Sequence, residues 1–267
     1  VIKSLEVKNL TVSYGAKKIL SGVDLCLNKG EVLAIVGESG SGKTMTGLAI
    51  LGLLPRGMTV ESGEILFGGK DVFLMSEPAL RQFRGGAVSM VFQEPFTSLN
   101  PVMRVGEQIA ETLLAHKKCL KHELKEKTGE LFSAVKLGAD VFYRYPHELS
   151  GGMRQRVMIA MALSCDPEVV ILDEPTTALD VSIQKHVLDI ILEIRRTRGL
   201  SMIFITHDLS IVSMLADNVI VMRNGSLVEK GGKDAILKAP ASAYTRHLIS
   251  CIPRIGDTRK RFPEEAE

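Results

Sequence analysis

The apolar residues of this chain fall into short runs, and several of those runs end abruptly at glycine or at acidic residues. Leu5, Val7, Leu10, Val12 and Tyr14 recur at nearly alternate positions, and Val23-Asp24-Leu25-Cys26-Leu27 alternates in the same way. That period predicts strands with one buried face. Asn28-Lys29-Gly30 makes a turn, and Val32-Leu33-Ala34-Ile35-Val36 then runs without a polar interruption, which predicts a short buried strand. Val88–Phe92, Val169–Leu172 and Met202–Ile205 share this character. Ile65–Phe67 predicts a further short strand, and Asn218–Val228 a hairpin turning at Asn224-Gly225.

Helical spacing takes over between these strands. Met45, Leu48, Ala49, Leu51 and Gly52 come after the Val32–Val36 run. Gly106 to Lys136 reads as helical, with Ile109, Leu113 and Leu114 early and Leu131, Phe132 and Val135 late. The charged stretch His116–Lys127 between them is either a solvated connection or an exposed face. Further helices are expected through Ala160–Cys165, Val187–Ile194, Ala235–Leu237 and Ala243–Cys251. Strands alternating with helices predict an α/β fold with a mostly parallel central sheet. The early alternating strands add an antiparallel β layer, and the helix-rich middle predicts a helical subdomain inserted at about 94–165. A tail rich in charge and proline, 254–267, is expected to be partly disordered.

The strand at Val32–Val36 ends in Gly37-Glu38-Ser39-Gly40-Ser41-Gly42-Lys43-Thr44, and a helix comes next. Strand, glycine-rich turn and helix carrying G-x-x-x-x-G-K-[ST] is the context that identifies a phosphate-binding loop. The glycines let successive N–H groups point inward at phosphate oxygens, and the helix N-terminus adds partial positive charge. Lys43 can reach the β- and γ-phosphates of a nucleotide, and the Thr44 hydroxyl can ligate Mg²⁺.

Other strand ends carry chemistry too. The buried run at Val169 delivers Asp173 and Glu174 to its C-terminal end, where open α/β sheets bind ligands. Beside a phosphate loop, Asp173 fits the Mg²⁺ shell and Glu174 the base for an attacking water. The run at Met202 ends at His207-Asp208. Convergence of the strand ends at Gly37, Asp173 and His207 would put His207 near the γ-phosphate. Ser150-Gly151-Gly152 opens a helix and is either a second anion-seeking N-terminus or an ordinary helix start.

Composition narrows the classes. The 267 residues carry 33 Lys and Arg against 31 Asp and Glu, a net charge of +2, which is too balanced to argue for nucleic acid. No apolar run approaches the roughly 18 residues of a membrane span, and the first residues do not resemble a signal peptide. A membrane role is therefore expected to come through partners. The four cysteines are widely spaced, without metal-ligand cadence, and are expected to be reduced thiols.

Taken together and in order, these motifs resemble the nucleotide-binding subunit of an ABC transporter over about Leu5 to Pro253. The resemblance makes Tyr14 the adenine-stacking aromatic; taken alone, Tyr14 could equally be a strand aromatic on a sheet face. It makes Gln93 the Q-loop residue, Leu149-Ser150-Gly151-Gly152-Met153 the signature, Ala178-Leu179-Asp180 the D-loop and His207 the switch histidine. The fold it implies is the ABC ATPase form of the phosphate-loop NTPase, with residues 1–253 as the ATPase domain. Two such domains would pack head to tail around two ATP molecules. ATP and Mg²⁺ would be held through Tyr14, Gly37, Glu38, Ser39, Gly40, Ser41, Gly42, Lys43, Thr44, Gln93 and Asp173, with Thr44, Gln93 and Asp173 at the metal. Ser150, Gly151 and Gly152 would address the nucleotide of the opposite subunit. Glu174, His207 and Gln93 would serve hydrolysis.

A narrower resemblance, to importers of dipeptides, oligopeptides or nickel, rests on Glu94-Pro95-Phe96-Thr97-Ser98-Leu99-Asn100-Pro101-Val102, Thr176–Val181 and Ala243–Leu248. The short C-terminal tail leans slightly towards a nickel-type or short peptide-type subunit. The partners implied are two transmembrane permease subunits, a second, related ATP-binding chain and an extracytoplasmic substrate-binding protein, with no nucleic acid. The implied location is peripheral, on the cytoplasmic face of the inner membrane. The loop from Gln93 to Arg104 would transmit motion to the permeases. Two rival readings are a soluble ABC-type ATPase acting on DNA or ribosomes, and a GTPase or small-molecule kinase. The single phosphate loop, the absence of sustained heptads and the signature argue against them.

Overall fold

The computed structural model describes residues 3–94, 98–177 and 179–251. Pro95, Phe96 and Thr97 of the narrower resemblance, Ala178 of the D-loop and the predicted tail lie outside the described residues. In chain order the first elements are β1 (Lys3–Tyr14), β2 (Lys17–Asn28), β3 (Val32–Val36), α1 (Lys43–Ile50), β4 (Met58–Phe67) and β5 (Lys70–Asp71). Then come α2 (Glu77–Phe83), β6 (Val88–Val91), α3 (Val105–Ala115), α4 (Leu124–Ala134), α5 (Gly151–Leu163), β7 (Val169–Asp173) and α6 (Val181–Arg198). The chain continues through β8 (Ser201–Thr206), α7 (Leu209–Leu215), β9 (Asn218–Arg223), β10 (Ser226–Gly232), α8 (Lys233–Lys238) and α9 (Ala243–Ser250). Residues 1–73 and 203–267 cluster into one compact unit and residues 74–202 into another.

In the first unit β1 lies between β2 and β4, antiparallel to both, with β5 at the edge. This is the antiparallel layer expected from the alternation. Leu5, Val7, Leu10 and Val12 of β1 are buried, as are Leu20, Val23, Leu25 and Leu27 of β2. The strands outrun their apolar patterns. β2 begins at Lys17, because Tyr14 pairs with Lys17 across a tight turn whose Gly15 has φ 57°. Backbone pairing carries the extension, in which Leu20 is the buried side chain. A second set of neighbours in this unit runs β10-β9-β3-β8. β3 is parallel to β9 with Leu33 opposite Asn218 and Val36 opposite Val221, and β9 and β10 form the expected hairpin. Every residue of β3 is buried. Ala34, Val36, Leu209, Val212, Val219, Val221, Ile236 and Tyr244 share one core cluster.

In the second unit β6 and β7 are parallel, with Val88 opposite Val169 and Val91 opposite Leu172. α3 buries Val105, Ile109 and Leu113, and α4 buries Leu131 and Phe132. Of the two readings of the charged middle, the connection holds up to Glu123, and residues from Leu124 on belong to a second helix. α3 stops at its C-cap His116, Lys117 adopts φ 53°, and the charged residues to Glu123 form the connection. α6 buries Val187, Leu188, Ile190, Ile191 and Ile194 along one stripe. It ends at Gly199 in the left-handed region, with Arg195, Arg196 and Arg198 in the last turn favouring the negative end of the helix dipole. The apolar pattern does not predict α2, since only Phe83 among its residues is buried and no apolar stripe marks it. Among the described residues no helix is long and apolar enough to cross a membrane.

Candidate functional site

The first unit carries the phosphate loop. β3 ends at Val36 and the chain turns sharply at Gly37, φ 154°, where a Cβ would lie 2.2 Å from the Met222 carbonyl oxygen. Glycine is required there because the loop lies directly on the backbone of β9. α1 starts from Gly42, φ 102°, with no side-chain cap and no acid in its first turn. Two usual ways of satisfying the first amides of a helix are thus missing, which suits that end to an anionic ligand. The Ser41 Oγ is buried without a hydrogen-bond partner among the described residues, a further donor within the cradle. Lys43 is 5% exposed, and its Nζ donates to the carbonyls of Gly37 and Glu38, at 2.8 Å each. The ammonium is therefore held back over the loop instead of extending into solvent. Thr44 is the next residue of α1.

The loop is braced from the C-terminal part of the chain. The Gly225 amide, at the turn between β9 and β10, donates to the Ser41 carbonyl at 3.0 Å. Fully buried Thr46 donates from Oγ1 to the Gly42 carbonyl at 3.0 Å. The Tyr244 hydroxyl of α9 accepts from the Glu38 amide at 3.4 Å. In sequence Tyr244 stands out only as part of a family mark, and nothing there signals this contact. Burial is the main reason its phenol sits above the usual pKa, so it is a neutral group at physiological pH.

Two more predicted residues belong to this unit. Tyr14 is 57% exposed at the end of β1, and its ring edge leans over Gly57, where a Cβ would come within 2.9 Å. His207 is exposed and directly succeeds β8, the neighbour of β3 in strand order. Asp208 beside it caps α7, accepting from the Ser210 amide at 2.8 Å and hydroxyl at 2.6 Å.

The second unit brings together the acidic strand end and Gln93. Asp173, the last residue of β7, is 1% exposed. Glu174 comes next with φ 45°, a conformation that costs a residue with a Cβ about 1 kcal/mol or more and is typical of functional sites. Gln93 Nε2 donates to Glu174 Oε2 at 3.1 Å, and Thr177 Oγ1 donates to the same oxygen at 2.9 Å. The register explains the first contact. With Val91 opposite Leu172, two further residues on each strand bring Gln93 opposite Glu174. Two donors on one oxygen fix the carboxylate's direction, and a general base has to be so directed. In sequence Thr177 is only one member of a longer motif; its hold on Glu174 is visible only once the turn is formed.

The signature stretch forms the start of α5. Ser150 is its N-cap, accepting from the Met153 amide at 3.3 Å. A Cβ on Gly152 would lie 2.4 Å from Ile183 Cγ2 of α6, and one on Gly151 3.5 Å from Leu179 Cδ2. The small residues therefore let α5 seat against the start of α6 and the stretch before it. Arg156 ties the helix to the turn after α4, donating to the carbonyls of Gly152 at 3.2 Å and Lys136 at 2.8 Å.

The family profile described as "ABC transporter" matches residues 20–177, which contain both the phosphate loop and the acidic strand end. The chain belongs to the ABC transporter ATPase family. It binds and hydrolyses ATP as a transporter subunit. A second profile, "Oligopeptide/dipeptide transporter, C-terminal region", matches residues 228–267. The dipeptide transport ATP-binding protein of Bacillus subtilis is 45% identical over 260 residues, covering 95% of this chain and 78% of that protein. The oligopeptide transport ATP-binding protein of the same organism is 46% identical over 262 residues, covering 96% and 73%. Among solved structures, cbiO1 of Clostridium perfringens, part of an ABC transporter complex, matches with a TM-score of 0.79 at 28% identity, covering 90% of this chain and 92% of that one. The fold is thus the ABC ATPase form of the phosphate-loop NTPase. These relatives are transport ATP-binding proteins, so the reading as a DNA- or ribosome-directed ATPase gains no support. The C-terminal match is to the oligopeptide and dipeptide group, and the nickel alternative gains none either.

Proposed function

We propose that this chain powers an importer of short peptides from the cytoplasmic face of the membrane, as one of two ATPase subunits beneath two permeases. The curated relatives are named for dipeptide and oligopeptide transport, and the C-terminal profile is that of the same group. Their names supply the substrate class. An extracytoplasmic binding protein would deliver the peptide, and a related but non-identical chain would supply the second ATPase.

The observation that carries the chemical reading is the oriented Glu174 carboxylate, held at 3.1 Å by Gln93 and 2.9 Å by Thr177 beyond a buried acidic strand end. In the proposed mechanism the amides of Gly40–Thr44 and the Lys43 ammonium receive the β- and γ-phosphates, and Tyr14 stacks on adenine. Thr44, Asp173 and Gln93 are assigned to Mg²⁺, which would neutralise charge between the phosphates; magnesium commonly takes few protein oxygens beside phosphate and water. Glu174 takes the proton of the attacking water, and His207 orients that water and the γ-phosphate. Ser150, Gly151 and Gly152 face the nucleotide of the opposite subunit, so ATP joins the pair and its hydrolysis releases it.

Glu174→Gln tests the assignment. It keeps both oriented donors nearly satisfied but removes the base. Hydrolysis by the assembled transporter should fall by about 100-fold or more, the usual worth of a general base, with ATP affinity retained. Wild-type turnover in that variant would remove Glu174 from the mechanism.

A further inference from the structure

The Gly37–Glu38 peptide is gripped at both ends. Its carbonyl accepts from Lys43 Nζ at 2.8 Å, and its amide donates to the Tyr244 hydroxyl at 3.4 Å. A trans peptide is planar, so its C=O and N–H turn together. The residue before it is a glycine at φ 154°, which leaves that plane few steric restraints of its own.

Tyr244 is itself fixed from several sides. Its ring is 7% exposed and sits in the core cluster with Ala34, Val36, Leu209 and Val219. The Arg223 guanidinium lies over the ring face, 4.7 Å from its centroid. Glu229 of β10 accepts from the amides of Ala241 at 2.8 Å and Ser242 at 3.1 Å, pinning the start of α9. Arg246 adds donations to the carbonyls of Pro240 at 3.1 Å and Ala241 at 2.9 Å.

We propose that Tyr244 is a positioning residue for the phosphate loop: by holding the Gly37–Glu38 peptide plane, its hydroxyl sets the carbonyl that places the Lys43 ammonium. The inference rests on the reading of this loop as the nucleotide site. It makes the seating of α9 a condition for tight phosphate binding, and it gives the C-terminal helix a direct influence on the nucleotide.

The test is Tyr244→Phe in the full chain, with a fluorescent methylanthraniloyl-ATP as the probe. The ring, its core packing and the Arg223 stacking remain; only the hydroxyl is lost. The Kd should rise about fivefold, the worth of one hydrogen bond of about 1 kcal/mol. The melting temperature should stay that of wild type, and amide exchange should quicken in residues 37–44 while α9 stays protected. Tyr244→Leu, which also removes the ring, should bind more weakly still and melt earlier. A Kd for Tyr244→Phe equal to wild type would overturn the proposal and leave Tyr244 as a core residue. So would a weakening accompanied by faster exchange throughout α9. A wild-type chain that fails to bind the probe, or a Lys43→Ala chain that binds it as well as wild type, would instead remove the nucleotide reading on which the inference rests.

Discussion

Lys43 shows how much a single side chain's position depends on its backbone surroundings. The residue is almost fully buried, and its ammonium donates to two backbone carbonyls at 2.8 Å. Anionic phosphate oxygens within reach of this ammonium would add charge-assisted hydrogen bonds to those it already makes. Lys43→Ala should therefore weaken ATP binding by roughly 10- to 100-fold, the range expected for hydrogen bonds to a charged group. Equilibrium titration of the purified chain measures it, and an unchanged Kd would dismiss Lys43 as a phosphate ligand. Gly37 to Thr44 were legible in sequence because the glycines, lysine and threonine of the motif stand within eight consecutive residues. Asp173 and Glu174 were legible because a buried strand announces itself and then stops at acids. Tyr244 and Thr177 were not. Tyr244 acts across a separation of 206 residues, and Thr177 acts through a turn whose geometry composition does not encode.

At the scale of elements, most strands and helices could be read from apolar period, and the errors have physical reasons. β2 and β4 are longer than their apolar patterns because antiparallel pairing with β1 satisfies backbone groups where few side chains are buried. α2 was invisible because a helix with one buried residue has no stripe to see. The signature helix α5 is the instructive element. The family resemblance directs its glycines to a ligand on another subunit, and in this structure Gly152 meets a packing demand within its own unit. Gly152→Ala would push a methyl group to 2.4 Å from Ile183 Cγ2, and the expected loss is about 1–3 kcal/mol, as for overpacked interfaces. Thermal melting should show the loss, and Gly152→Ala combined with Ile183→Ala should recover part of it. If stability recovers while hydrolysis in the assembly does not, Gly152 has a second role at the nucleotide. A single Gly152→Ala variant that melts like wild type would mean that α5 and α6 can part without cost.

For the whole molecule, the division of the motifs matters most. One compact unit holds the phosphate loop, Tyr14 and His207; the other holds Gln93, Asp173, Glu174 and the signature. Ser150 caps its own helix at 3.3 Å, so its proposed duty towards a partner's nucleotide must be separated from this local one. Ser150→Asp retains a good N-cap but introduces negative charge. ATP binding by the isolated chain should be unchanged within about twofold, while hydrolysis by the assembled transporter should collapse as the acid faces a γ-phosphate. Normal turnover would argue that the signature never approaches a nucleotide. The collar around the phosphate loop also governs the order in which this chain can mature. β3 takes Asp217 as an acceptor for the Val32 amide across 185 residues, and Thr46 meets Met222 across 176. Such distant closures are slow to form because a long loop must be ordered before its contacts repay it. On the ribosome the loop sequence emerges well before the strand, turn and tyrosine that shape it, which lie about 180 to 200 residues further along. A nascent chain therefore carries its nucleotide motif long before the contacts that brace the motif can form.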